Sequence, residues 1–188
     1  MTRQMSKSDS KQMQLTVVAP DHGKLVEELH SLSFELGVAG AKADCIWLLP
    51  TTVGLSHRVA QGAKSVDGLT VGISPADSAV SHTDKYRLPQ ANYDSIIYSG
   101  LPLAARDQTL IRSADAVIFV GDRASSPQLY ALAIELECTI GVLLETESQL
   151  WYESFNDTLK EQLGTAPHPI FEHEPKKLVA RLRKQLEP

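Results

Sequence analysis

The segment GDRASSPQL joins an apolar run to a helical pattern, so its polar residues lie where an α/β protein usually binds phosphate. The preceding residues, ADAVIFV, are continuously apolar, as in a parallel strand that is buried on both faces. Backbone N–H groups at the start of the following helix would attract an anion. The candidate ligand-binding residues of this turn are Gly121, Asp122, Arg123, Ser125 and Ser126.

The side chains of this turn favour different kinds of chemistry. The guanidinium of Arg123 can bind phosphate bidentately, whereas the carboxylate of Asp122 would repel it. Ser125 and Ser126 precede Pro127 and can cap the helix, a structural role that explains them without any chemistry. A serine nucleophile would also need a positioned base. Histidines after other predicted strands are available as bases: His22, His57 and His82.

Three further turns follow predicted strands and should open on the same edge of the sheet. Their candidate ligand-binding residues are Asp21, His22, Thr51, Thr52, Gly54, Gly100 and Arg106. At the start of its helix, Arg106 could bind an anion or form an ion pair with Asp107 or Asp122.

Strand and helix patterns alternate along almost the whole chain. The continuous apolar runs at 15–20, 45–50, 69–74, 95–100, 115–121 and 139–145 predict buried parallel strands, and 169–174 predicts a short edge strand. Helices are predicted at 23–37, 55–65, 103–114, 126–137, 150–163 and 175–186, with Gly37 and Gly40 ending the first. The pattern predicts a single Rossmann-like α/β domain over residues 14–188, with a doubly wound, mainly parallel sheet between two helical layers, after a disordered tail of residues 1–13.

The polar loop of about 20 residues at 75–94 is unusually long for a connection inside a compact domain. Its histidine, aspartate, lysine, tyrosine and arginine at 82 and 84–87 could cover a ligand. The same loop could instead lie on the surface or act as a dimer arm.

Composition limits the classes of partner. The net charge of −5 and pI of about 5.7 argue against a dedicated nucleic-acid binder. No run is apolar and long enough for a signal sequence or a membrane span, so we expect a cytoplasmic protein. The two cysteines, Cys45 and Cys138, lie in apolar segments and are expected to be free thiols. No cysteine pattern or regular ligand spacing predicts a metal site.

The middle of the chain, from about Cys45 to Leu144, resembles a known Rossmann-like superfamily. The segment VGLSHRVAQGAKSVDGLTVGISP is similar to that family's G-x-M-x-A-V-x-x-G-A followed by G-G-x-V-x-G-I-x-P. The segment YSGLPLAARDQTLIRSADAVIFVG is similar to its T-G-L-x-x-A-R-N-x-x-L-x-x-S-A-D-A-V-I-x-x-G. The superfamily includes LOG-type cytokinin-activating phosphoribohydrolases, proteins misannotated as lysine decarboxylases, and molybdenum-cofactor carrier proteins.

The sequence differs from the family in the two segments that bind phosphate and carry the catalytic residue. The family's G-G-x-x-G turn before the second helix is PTTVG here, and its G-G-x-x-G-T-x-x-E segment is GDRASSPQL. Only Gly54 and Gly121 remain of the phosphate-binding glycines, and Leu129 occupies the place of the catalytic glutamate. Leu129 cannot transfer a proton, and it lies on an apolar helical stripe. The resemblance therefore implies the fold and not phosphoribohydrolase activity.

We expect a divergent, non-catalytic member of this superfamily that binds a nucleotide-like or other small anionic ligand at the carboxyl edge of the sheet. The sequence fixes no cofactor; a nucleotide or a molybdopterin-type ligand fits this class. One alternative is an enzyme that acts on N-glycosidic bonds with altered residues, as in the nucleoside deoxyribosyltransferases of related fold. Another is a structural subunit with a closed pocket. A homodimer or a higher homo-oligomer is expected, and the resemblance implies that the helix that carries Leu129 lies at the interface, because family members dimerise near this segment.

Overall fold

A computed structural model describes residues 11–121, 126–144, 148–163 and 168–187 of the chain. Its seven strands form one all-parallel sheet in the order β4-β3-β2-β1-β5-β6-β7. The strands are β1 Gln14–Val18, β2 Ile46–Pro50, β3 Leu69–Ser74, β4 Ser95–Tyr98, β5 Ala116–Val120, β6 Thr139–Leu143 and β7 Ile170–Glu172. The predicted doubly wound α/β fold is confirmed, including the short strand at the β7 edge.

Helices cover both faces of this sheet. They are α1 Lys24–Glu28, α2 His30–Lys42, α3 Leu55–Lys64, α4 Leu103–Ser113, α5 Ser126–Glu135, α6 Ser148–Leu163 and α7 Pro175–Leu186. One hydrophobic cluster joins α2, α3 and α7 to one face of the central strands. A second cluster, rich in aromatic rings, joins α4, α5 and α6 to the other face.

The first predicted helix differs from the observed one. It is divided into α1 and α2, and α2 continues through Gly37 and Gly40 to Lys42, so the prediction that these glycines end it was wrong. Both glycines are needed for close packing instead. A Cβ on Gly37 would lie 2.0 Å from the carbonyl oxygen of Val59 on α3, and one on Gly40 would meet the Trp47 ring at 2.5 Å.

Strand β4 also departs from expectation, because it is not buried on both faces. Its residues alternate between exposed and half-buried, and Ile97 is 51% exposed. The strand lies at the edge of the sheet, where it pairs with β3 alone.

The connection at 75–94 contains a short π-helix, Ser81–Lys85, rather than an irregular loop. His82 is fully buried there. Its Nε2 donates to the carbonyl oxygen of Pro89 at 3.2 Å, and its Nδ1 forms a hydrogen bond with the Ser74 hydroxyl at 2.8 Å. His82 thus ties this connection to the end of β3.

The beginning of the described chain is attached to the sheet. Lys11, which the sequence assigned to the tail, forms an ion pair with Asp115 at 3.0 Å. The backbone N–H of Ile46 donates to the carbonyl oxygen of Met13. Residues 11 and 13 of the predicted tail therefore contact the domain, while residues 1–10 lie outside the described ranges and the boundary of the tail stays a prediction.

Candidate functional site

The candidate site lies at the carboxyl ends of β1 and β2, beside the point where the strand order reverses. Consecutive strands run outward from β1 to β4 on one side, while β5 pairs with β1 on the other. Open parallel sheets bind ligands at such switch points, because the turns there diverge and leave a crevice. A cavity of about 70 Å³ opens here. Its polar lining comes from Thr16, Asp21, Thr52, Ser56, Arg106 and Asp107.

The turns after β1 and β2 pack directly against each other at this cavity. The backbone N–H of Leu55 donates to the carbonyl oxygen of Pro20 at 2.9 Å. A Cβ on Gly54 would lie 2.2 Å from the Cα of Asp21. Gly54 is therefore required for the contact between the two turns, and this contact fixes the position of the Asp21 backbone.

Arg106 brings a guanidinium to the cavity from the first turn of α4. It is 4% exposed, and its Nε and Nη2 both donate to Oδ1 of Asp107, at 3.0 and 2.6 Å. Burial raises the pKa of Asp107, an effect that the charge and hydrogen bonds of Arg106 oppose. The ion pair that the sequence allowed as an alternative to anion binding is thus formed.

Several polar atoms at this site are buried without a hydrogen-bond partner among the described residues. Thr16 Oγ1, Asp21 Oδ1 and Thr52 Oγ1 belong to side chains that line the cavity. Thr52 is 8% exposed and Thr16 is 1% exposed. Buried polar groups in folded proteins are almost always paired, so such a cluster indicates where a ligand or ordered water completes the structure.

Tyr93 and His57, which do not line the cavity, carry two more buried atoms without a hydrogen-bond partner among the described residues, Oη and Nδ1. Their ring centroids are 5.9 Å apart, and Tyr93 packs over Gly72 in the middle of β3. Burial raises the pKa of Tyr93; the charge of Arg106 lowers it and the charge of Asp21 raises it further, so its hydroxyl remains a hydrogen-bond donor. Burial lowers the pKa of His57, and the charge of Arg58 lowers it further, so the imidazole is neutral.

Other predicted site residues have structural partners. The Thr51 hydroxyl donates to the carbonyl oxygen of Ile73 at 3.4 Å. Gly100 has a φ of +63°, and its N–H donates to the carbonyl oxygen of Ala76. His22 is exposed. Gly121 has a φ of +71°, its N–H donates to Leu143, and its carbonyl oxygen accepts from the Tyr152 hydroxyl at 2.8 Å. These contacts shape the turns without placing a functional group in the cavity.

The remaining predictions concern the turn after β5. Asp122, Arg123 and Ser125 lie outside the described residues, as does the side chain of Ser126, whose backbone begins α5. Leu129 packs against the second hydrophobic cluster, as its position on the apolar stripe predicted. The expected anion site at Arg123 therefore stays a prediction.

The sequence did not identify Thr16, Tyr93 or His57 as ligand-binding residues, although His57 was considered as a base. Thr16 lies within the apolar run of β1, and Tyr93 lies at the end of the long connection. Only the packing of Tyr93 across β3 brings it near the turns after β1 and β2. A single hydroxyl inside an otherwise apolar strand, as at Thr16, was the one available indication.

Comparison with known proteins agrees with this architecture. The sequence model of the SLOG cluster4 family matches residues 12–170. A molybdenum cofactor binding protein from Rippkaea orientalis is 20% identical with a TM-score of 0.74, over 94% of this chain and 99% of that one. The molybdenum cofactor carrier protein from Chlamydomonas reinhardtii is 21% identical with a TM-score of 0.73, over 94% and 99%.

The fold also occurs in a protein of a different kind. DNA processing protein A from Helicobacter pylori, described for its binding of single-stranded DNA, is 14% identical with a TM-score of 0.62, over 93% of this chain and 82% of that one. No curated protein matches the chain in sequence. No helix in the described ranges is long and apolar enough to cross a membrane.

Proposed function

The chain belongs to the SLOG cluster4 family, and from that premise we propose that it is a non-catalytic protein that binds one small ligand at the carboxyl ends of β1 and β2. One observation carries the proposal. Unpartnered polar atoms of Thr16, Asp21 and Thr52 converge on a cavity beside Arg106. Leaving such atoms buried and unpaired costs about 1–3 kcal/mol each, so they favour a bound partner.

The ligand we propose is a nucleotide or a molybdopterin-type compound, entering the cavity by one end. Two structural neighbours are described as molybdenum cofactor binding or carrier proteins, which supports this class. A volume of about 70 Å³ holds one functional group or ring edge, since whole-ligand pockets measure about 300–1,000 Å³. Asp21, Thr52 and Thr16 fit the hydrogen-bonding edge of a ring, and the rest of the ligand would extend over the strand ends.

The absence of catalysis is the second part of the proposal. Leu129 occupies the position of the catalytic glutamate in the phosphoribohydrolases that the sequence resembles, and it packs against the second hydrophobic cluster. The one Ser–His hydrogen bond in the described ranges, between Ser74 and His82, is buried with both residues 0% exposed. Neither arrangement offers a proton-transfer group to a ligand in the cavity.

Calorimetric titration of the purified protein with GMP, AMP and pterin, alongside a Thr52→Val variant, tests the binding. We expect saturable binding of at least one compound, weakened about fivefold or more in Thr52→Val, because the variant removes a buried hydroxyl and keeps the shape. Thr158→Val, an exposed threonine on α6, is the matched control and should bind as the wild type does.

No binding of any of the three compounds, or equal binding by wild type and Thr52→Val, would contradict this site. Release of free base from a bound nucleotide, detected by chromatography, would contradict only the proposal that the protein is not an enzyme.

A further inference from the structure

The charges around the cavity favour a hydrogen-bond donor rather than an anion at its inner end. The cavity holds one guanidinium, Arg106, which Asp107 already neutralises through two hydrogen bonds. Asp21 contributes a second carboxylate, and its buried Oδ1 has no partner among the described residues. A phosphate placed here would meet more negative than positive charge, whereas N–H groups would satisfy the free carboxylate oxygen.

The pattern of hydrogen-bond donors and acceptors in the cavity further limits the chemical class of the ligand. A carboxylate accepts from two N–H groups held side by side, and a neighbouring hydroxyl can donate to an adjacent carbonyl oxygen. Asp21 supplies the carboxylate, whose Oδ1 is buried and unpartnered, and the Thr52 hydroxyl supplies the donor. The complementary edge carries an amino group, a ring N–H and a carbonyl in sequence, which is the 2-amino-4-oxopyrimidine edge that guanine and pterin share.

We propose that Asp21 selects ligands by this 2-amino-4-oxopyrimidine edge, which binds in the cavity with any phosphate outside it. The inference rests on the function proposed above and concerns only the selectivity of that site. Adenine presents one amino group beside an unprotonated ring nitrogen, which would face the carboxylate and repel it. Hypoxanthine keeps the ring N–H and the carbonyl but lacks the amino group.

Two ligand series test the selection and distinguish its two chemical sources. In the first, wild-type protein is titrated with GMP, IMP and AMP; in the second, with pterin and lumazine, which has an oxygen in place of the amino group. We expect GMP to bind about tenfold tighter than IMP and tighter still than AMP, or pterin to bind about tenfold tighter than lumazine, since a bidentate contact discriminates by about this factor. Guanosine should bind within about threefold of GMP if the phosphate stays outside.

The Asp21→Asn variant identifies the residue responsible. It should reduce each preference to about threefold or less, because an amide offers one acceptor and presents a donor to the ring. Its ligand-free Tm should rise, because the variant removes a negative charge that lies close to the carboxylate of Asp107. Asp67→Asn is the control: it removes the same charge from an exposed turn with a φ of +57°, which asparagine adopts readily. It should leave both the preference and the Tm unchanged.

The results distinguish a failure of selection by Asp21 from a failure of ligand binding at the cavity. Binding of GMP, IMP and AMP with equal affinity, or a preference that survives in Asp21→Asn, would overturn the selection by Asp21 while leaving a ligand site in place. Absence of binding in both series would overturn both proposals.

Discussion

At the scale of single residues, the site is defined by polar groups that the fold buries and leaves unsatisfied. Arg106 and Asp107 satisfy each other, whereas Asp21, Thr52 and Thr16 do not find partners among the described residues. Proteins that bind ligands commonly accept such local costs at the site, and ligand binding then recovers the lost hydrogen bonds. The ion pair holds the Arg106 side chain, which would otherwise be free to bind an anion.

His57 gives the stability of the protein a pH dependence that can be measured. Its pKa is lowered from 6.5 in the folded protein, mainly by burial, so the unfolded chain takes up the proton first as the pH falls. The stability contribution is therefore complete above pH 6.5 and is lost as the pH falls towards the lowered pKa. We expect the free energy of unfolding, measured by urea titration at pH 7, 6 and 5, to fall more steeply in wild type than in His57→Gln.

Titratable groups other than His57 are present in both proteins, so their contributions to the pH dependence of stability cancel when the two are compared. His168→Gln, a change at an exposed histidine, should retain the steep wild-type dependence. Parallel pH profiles for wild type and His57→Gln would show that His57 does not titrate as its burial requires.

The candidate positions of the site were partly predictable from sequence, but their roles were not. Asp21, Thr52 and Arg106 each follow a predicted strand, and the topology of a parallel sheet brings such residues together. Whether Arg106 binds an anion or Asp107 depends on side-chain rotamers and burial, which no pattern of residue types contains. Tyr93 could not be predicted, because its position depends on how the 75–94 connection folds back over Gly72.

At the scale of secondary-structure elements, glycines determine how closely α2 and α3 approach. A Cβ on Gly62 of α3 would lie 1.9 Å from the carbonyl oxygen of Phe34 on α2, and Gly37 makes the reciprocal close approach to Val59. The distance between packed helices, normally about 8–10 Å, depends on the side chains at the contact, and these glycines place none there. This crossing supports the α3 helix that carries His57 and follows the Thr52 turn.

We expect Gly62→Ala to destabilise the protein by about 2 kcal/mol or more, although alanine is the better helix former by about 1 kcal/mol. The reason is that the backbone of α2 cannot yield to the new methyl group without moving the whole helix. Urea unfolding monitored by circular dichroism would measure the loss. Ser31→Ala, an exposed position on α2, should change stability by less than about 0.5 kcal/mol. A Gly62→Ala protein as stable as wild type would mean that the helices are not held this closely.

Sequence patterns succeeded for elements whose local and tertiary requirements agree. The 175–186 helix has apolar residues at helical spacing and proline at its first position, and its bounds were predicted without error. The predicted end of the first helix at Gly37 and Gly40 was wrong because glycine disfavours a helix locally, whereas packing against Val59 and Trp47 requires glycine there. The two demands conflict, and only the three-dimensional structure shows which one prevails.

At the scale of the whole molecule, exposed apolar side chains occur on the β4 edge of the sheet and in the segments before and after this strand. Ile97 on β4 is 51% exposed, Val80 in the preceding connection 69%, and Leu103 at the start of α4 58%. The strand sequence SIIY carries no charge, and natural edge strands are usually protected by lysine, proline or a covering element. An uncharged edge can pair with a second copy of itself without repulsion, so we propose that the expected homodimer forms here rather than at the helix of Leu129, which packs inward.

Ile97→Asp tests this assembly. The variant would place a negative charge on the β4 edge of each copy, and like charges brought close together across a strand pair are destabilising. We therefore expect wild-type protein to sediment as a dimer at about 20 µM in analytical ultracentrifugation and the variant to sediment as a monomer with unchanged circular dichroism. Leu186→Asp changes another exposed apolar residue, 37% exposed, at the end of α7 and should leave the dimer intact. A monomeric wild type would contradict the dimer itself, whereas an Ile97→Asp dimer would place the interface elsewhere on the molecule.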